Sequence, residues 1–117
     1  ATTGALTNCV STGSGVSAPF HVALSASDSY GANFGGSTVS QCSVDATTGA
    51  LTNCVSTGSG FSSPIGVTLN ASGSYAYVAT YFNGTVLQCS VNATTGALTS
   101  CASTGSGFSS PTGVVFN

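Results

Sequence analysis

A fifteen-residue stretch, ATTGALTNCVSTGSG, fills positions 1–15 and returns unchanged at 46–60. It returns again at 93–107 with two replacements, Ser100 for Asn53 and Ala102 for Val55. A fixed period of a few tens of residues constrains architecture more than any local propensity. Each copy must be one supersecondary unit that buries its apolar face against its neighbours. The spacings of 45 and 47 residues give about two and a half copies in 117 residues.

The unit is clearest in its second copy. Pro64–Asn70 reads as a short strand with Val67 and Leu69 on one face. Asn70–Gly73 is a turn, and Ser74–Thr80 a second strand rich in residues that suit a pleated surface. Asn83-Gly84 is a hairpin signal before a third strand, Thr85–Val91. A further turn at Ala93–Gly96 leads to a fourth strand, Ala97–Ala102, and a Gly/Ser-rich connector runs from Ser103 to Ser110. Four short antiparallel strands in about 45 residues match one blade of a β-propeller. The first copy follows the same plan but is two residues shorter between Tyr30 and Val39 than the second is between Tyr75 and Val86. Loss of a pair shortens a strand without exchanging its faces.

The run Pro64–Thr80, followed by Asn83-Gly-Thr-Val86, resembles the YVTN-type repeat of lactonase-like bacterial β-propellers. Tyr77-Val78-Ala79-Thr80 stands at the name-giving tetrad and departs from it at the last two positions. The resemblance covers essentially the whole chain and implies blade architecture. It leaves activity open, because that family spans lactonase-like enzymes and surface-layer proteins. The expected fold is therefore all-β, with tandem four-stranded antiparallel blades of propeller type. Residues 1–15 would be the outer strand of a preceding blade (Ala5–Val10) plus its connector. Residues 16–60 and 61–107 would be blade repeats, and 108–117 the first strand (Gly113–Phe116) of a following blade. A closed ring needs about four to eight blades. The chain reads as an open-ended array or part of a larger propeller.

The composition excludes several functions. The chain has no Lys, Arg, Met or Trp, and Asp28 and Asp45 are its only acids, so 2% of residues are charged. Nothing can neutralise phosphates, which argues against nucleic-acid binding and a polybasic membrane contact. No apolar run approaches the roughly 20 residues of a membrane-spanning helix. A content of 41% hydrophobic residues, in short runs between turn signals, argues for order over disorder. So weakly charged a surface invites association unless something coats it. The sequence opens with neither Met nor an apolar leader and reads as mature or partial.

Five cysteines point to an oxidising, extracellular or cell-surface setting. Cys42 and Cys54, like Cys89 and Cys101, are twelve residues apart and bracket the hairpin of the third and fourth strands. Folded about Thr94-Thr95-Gly96 as a three-residue loop, that hairpin sets Ala93 opposite Ala97 and Cys89 opposite Cys101, within disulfide range. Two disulfides are expected, with Cys9 left unpaired or intermolecular. Metal binding is disfavoured, since no histidine or second thiol pair accompanies either couple.

Three sequons, at Asn70, Asn83 and Asn92, fall in expected turns of the second copy, so N-glycans are candidate partners. The Ser/Thr-rich connectors could carry O-glycans. First-copy counterparts of the sequon asparagines are Ser25, Gly36 and Asp45, so the fold does not demand the sites. His21, the only histidine, stands where the other copies have Gly66 and Gly113 and has no matching acid. Asp28 is placed at the position of Gly73, and both acids read as turn residues. The Gly-Ser-Gly runs lack the Lys of a phosphate loop and read as connectors. Tyr30, Tyr75, Tyr77, Tyr81, Phe34 and Phe82 could line a sugar-binding groove but suit packing between blades better.

No catalytic, cofactor-binding or metal-binding set is assigned. The reading is a non-catalytic extracellular structural repeat protein, a surface or filament component that associates with copies of its own repeat. The alternatives are a carbohydrate- or protein-binding propeller module, and a lactonase-like enzyme whose site lies in blades outside this chain.

Overall fold

A computed structural model of the chain describes residues 4–7, 9–15 and 18–115. It holds eight strands: β1 (Pro19–Leu24), β2 (Asp28–Asn33), β3 (Thr38–Val44), β4 (Leu51–Thr57), β5 (Pro64–Leu69), β6 (Tyr75–Thr80), β7 (Thr85–Val91) and β8 (Leu98–Thr104). They form two four-stranded antiparallel sheets, β1-β2-β3-β4 and β5-β6-β7-β8, one per repeat, and neither closes on itself. No helix occurs among the described residues. The fold is all-β, as expected. Of the expected flanking strands, residues 5–7, 9–10 and 113–115 belong to neither sheet, while Asn8 and Phe116 lie outside the described residues.

The two-residue difference between repeats is not where the tyrosines suggested. β2 pairs Asp28 with Ser43, as β6 pairs Tyr75 with Ser90, so Tyr30 is the counterpart of Tyr77. The shortening lies in the turn, Ser25–Ser27 against Asn70–Ser74. Asp28 accordingly opens a strand and does not stand at the position of Gly73. The placement failed because a two-residue slip leaves every side chain on its own face, so alternation cannot detect it.

The hairpin register holds two compensating departures. Asn92 N–H donates to the Ala97 carbonyl and Gly96 N–H to the Asn92 carbonyl, so residues 93–96 form a four-residue loop, one longer than expected. Val91 then pairs with Leu98 and Ser90 with Thr99, one step out of the expected register. A bulge at Ser100, with φ of 52°, restores it, and Gln88 pairs with Ala102. Cys89 and Cys101 face each other with Cα atoms 4.0 Å apart and form a disulfide. The first repeat matches, with Asn53 at φ of 52° and Cys42 bonded to Cys54 across 4.1 Å.

The core lies between the sheets. Tyr30, Ala32 and Val39 project from the back of the first sheet, and Val67, Val78, Leu87 and Leu98 meet them from the front of the second, with Phe61 of the connector alongside. The front of the first sheet is different. Gly31 and Ser40 replace Val78 and Leu87 there, and Val22 is 57% exposed where its counterpart Val67 is 1%. The two repeats therefore carry matching backs and unlike fronts.

Candidate functional site

The most developed constellation is the contact between repeats. The loop at 93–96 owes its shape to Asn92, whose Oδ1 accepts the N–H groups of Thr94 and Thr95, each at 2.8 Å. Gly96 takes φ of 77°, which a side chain would strain. Thus shaped, the loop presents two carbonyls to the back of the first sheet. The Tyr30 hydroxyl donates to the Gly96 carbonyl at 2.7 Å, and the Gln41 side-chain amide donates to the Thr95 carbonyl at 2.7 Å. Gln41 also donates to Asp28 at 3.2 Å. The fit is close, since a Cβ on Gly96 would stand 2.5 Å from Gln41 Nε2 and 2.8 Å from an Asp28 oxygen. Burial, and secondarily the Asp28 carboxylate, push the Tyr30 hydroxyl up to about 12.

Further contacts recur from repeat to repeat. The Leu98 N–H donates to the Thr57 hydroxyl at 2.7 Å, and the Leu51 N–H donates to Thr12, the matching threonine one copy earlier, also at 2.7 Å. On the inner edge β5 lies against β1 and β2. There the Val67 N–H makes a long 3.4 Å bond to His21 Nδ1, so the histidine is part of the contact between sheets. Residues 112–113 lie against Gly66 in the same manner, with room for no Cβ. This interface was not legible in the sequence, which gave no sign that a tyrosine and a glutamine would clamp a turn 66 residues away.

Around this contact lie three surface features. A polar cleft of about 700 Å³ runs between the turns at one end, bordered by Asp28, Tyr30, Asn70 and Asn92. An apolar recess of about 570 Å³ opens on the front of the first sheet, above Gly31 and Ser40. At the far end Phe20, Phe34, Phe82 and Tyr81 form a row across both repeats, with successive ring centroids 5.0, 5.8 and 5.2 Å apart. Phe20 and Phe82 are largely exposed. Tyr30, in contrast, fills the space between the sheets.

Of the sequon asparagines, Asn83 and Asn92 are exposed. Asn70 is half-buried, its side-chain amide donating to Ser72 and Ser74 at 3.2 and 3.1 Å. Asp45 shapes the 46–49 loop as Asn92 shapes its counterpart. The amides of Thr48 and Thr47 hold its carboxyl below the usual carboxylate range. Cys9 is exposed and free. Among the described residues no three His, Cys, Asp or Glu side chains converge as a metal site would require. Asn33 Oδ1 is buried without a partner, although its amide donates to Thr38 and Ser40. Its counterpart Thr80 is satisfied by Thr85.

Fold and site together define an all-β tandem-repeat protein, stapled once per sheet, whose two sheets are joined by a turn-on-sheet contact. Among solved structures it is similar to part of the hydrazine synthase of Kuenenia stuttgartiensis, with a TM-score of 0.59 and 20% identity. The match covers 94% of this chain and 29% of that one, so the likeness concerns the fold alone. No protein-family model and no curated protein matches the sequence.

Proposed function

We propose that this chain is a non-catalytic, extracellular structural repeat protein, a surface or filament component built of propeller-type blades that associates with copies of its own repeat. The recurrence of the inter-repeat contacts carries the reading. Thr12 meets Leu51 as Thr57 meets Leu98, and the 112–113 segment meets Gly66 as β5 meets β1. An interface that uses different surfaces on its two sides can be extended indefinitely. The packing of one four-stranded meander on the next, inner strand on inner strand, supports the blade assignment and is consistent with the YVTN-type resemblance. Two disulfides suit an oxidising compartment, and secretion follows from the same reading. N-glycans on Asn83 and Asn92, the exposed sequons, would keep a surface with 2% charged residues in solution. Asn70 would first have to release its two serine contacts.

Electron microscopy of the native material tests this. Continuous fibres or a surface layer, with an axial repeat of a few blades, are the expected result. Discrete rings of six to eight blades would replace the structural reading with that of an ordinary propeller, whose binding or lactonase-like chemistry would reside in other blades. The exposed aromatic row favours a second reading, a carbohydrate-binding module. Binding on a glycan array that is lost in Tyr81→Ala would establish it.

A further inference from the structure

The turn between the second and third strands is where the two repeats differ most in chemistry. It reads Phe-Gly-Gly-Ser at 34–37 and Tyr-Phe-Asn-Gly at 81–84. Asn33 pairs with Thr38 across the first turn and Thr80 with Thr85 across the second, so Phe82 stands at the position of Gly35 and Asn83 at that of Gly36. One turn thus gains a ring and a sequon asparagine side by side, and Thr85 completes the sequon. Phe82 is 68% exposed, the most exposed aromatic side chain among the described residues. Its ring is nevertheless held. It tilts against Phe34 of the first repeat, with centroids 5.8 Å apart, and meets Tyr81 edge to face at 5.2 Å. A ring fixed by two neighbours and still two-thirds exposed is an apolar platform set in advance.

Asn83 is the sequon asparagine with no other task. Asn92 spends its Oδ1 on the 93–96 loop and Asn70 its amide on two serines, whereas Asn83 is exposed and its side chain makes no hydrogen bond among the described residues. Neighbouring repeats do not cover this turn. Gly35 and Gly36 are exposed although a whole repeat follows them, and Phe82 is exposed although a whole repeat precedes it.

We infer that Asn83 carries an N-glycan whose first sugar lies on the Phe82 ring and its neighbours Phe34 and Tyr81. This rests on the glycoprotein part of the reading above and gives the aromatic row an occupant. The sugar comes from an oligosaccharide carried on a lipid diphosphate. A bond forms between Asn83 Nδ2 and the anomeric carbon as the bond from that carbon to the diphosphate oxygen breaks. The diphosphate leaves with the electron pair, and the amide nitrogen gives up one proton to solvent. Transfer precedes closure of the hairpin, because in the folded sheet the Thr85 hydroxyl is already paired with that of Thr80. A pyranose presents C–H groups on one face, and an aromatic ring offers them the negative face of its quadrupole. The tether removes most of the entropy cost of bringing the two together. Since Phe34 belongs to the first repeat and Asn83 to the second, the seated sugar also bridges the seam between them.

Occupancy and seating are tested separately. Glycopeptide mass spectrometry of the native material should find Asn83 modified. Seating is read on the chain secreted from eukaryotic cells, purified fully occupied and trimmed enzymatically to its first sugar. Nuclear Overhauser contacts between that sugar and the Phe82 ring are expected. The occupied chain should also unfold with an equilibrium constant roughly fivefold below that of Asn83→Gln, the effect of covering about 40 Å² of ring. Phe82→Ala should abolish both the contacts and the difference made by the sugar, whereas Phe82→Tyr should keep both. Circular dichroism verifies folding, and the ring contacts decide the matter should Phe82→Ala fail to fold. A bare Asn83 in the native material overturns the inference and leaves the structural-repeat reading, which imaging tests, untouched. An occupied Asn83 with no ring contacts, and with the same effect of the sugar in wild type and Phe82→Ala, overturns the seat. Binding of free glycans by the fully occupied chain, lost in Tyr81→Ala, overturns it too, because the row would then serve molecules other than its own glycan.

Discussion

Tyr30 illustrates how a single side chain serves two repeats. Its ring fills the gap between the sheets and its hydroxyl closes on the Gly96 carbonyl. Tyr30→Phe should cost about 1–2 kcal/mol, since a buried carbonyl loses its donor. The raised titration adds a pH signature. The neutral hydroxyl is the form the fold favours, so its contribution is fully present below pH 10, the ordinary tyrosine value, and is lost as pH rises toward about 12. Urea midpoints measured across that window should fall more steeply for the wild type than for Tyr30→Phe, and equal slopes would refute the assignment. Asp45 has the opposite sign. Its carboxyl is lowered by the amides of Thr48 and then Thr47, so the stability it contributes is present above the usual carboxylate range and is lost as pH falls through its own titration. Asn92 makes the same two bonds without a charge. Asp45→Asn should thus leave the neutral-pH midpoint unchanged and flatten the acid limb of the stability profile.

At the scale of the strand and hairpin, much was legible in the sequence, and the misses have a common cause. Turn residues such as Asn70–Gly73 and Asn83-Gly84 marked the strand limits because they favour backbone shapes a strand cannot adopt. The disulfide pairing was also legible, though the geometry used to reach it was not that of the molecule. A loop one residue longer and a bulge at Ser100 or Asn53 cancel, and only their sum leaves a trace in cysteine spacing. The clamp of Tyr30 and Gln41 on a distant loop was invisible for a different reason. It depends on how one sheet sits on the next, which no local pattern encodes. The bulge gives a direct test. Ser100 and Asn53 both hold φ of 52°, a region Asn enters more readily than Ser. Ser100→Asn should therefore stabilise the chain by a few tenths of a kcal/mol. A lowered urea midpoint would show that another force sets the bulge.

Across the whole molecule the two sheets are unequal although their sequences are close. The second sheet is covered in front by the first, and its inner strand β5 is buried over Pro64–Val67. The first has its back covered but its front covered only in part: Ser29, Ser40 and Cys42 are buried there, while β1 is exposed along nearly its whole length. Apolar burial contributes about 25 cal/mol per Å², so the same strand is held far less firmly when one face meets water. Local opening should follow this gradient, since exchange protection tracks buried apolar contacts more than the number of ladder bonds. Amide hydrogen exchange under native conditions should find the slowest protons in β6 and β7, where Ala76, Val78, Ala79, Val86 and Leu87 are buried. It should find fast exchange in β1, despite its regular pairing with β2. The disulfides do not alter the order, because each sheet carries one in the same hairpin. Equal protection in β1 and in β6 would show that ladder bonds, and not apolar burial, set the order of opening.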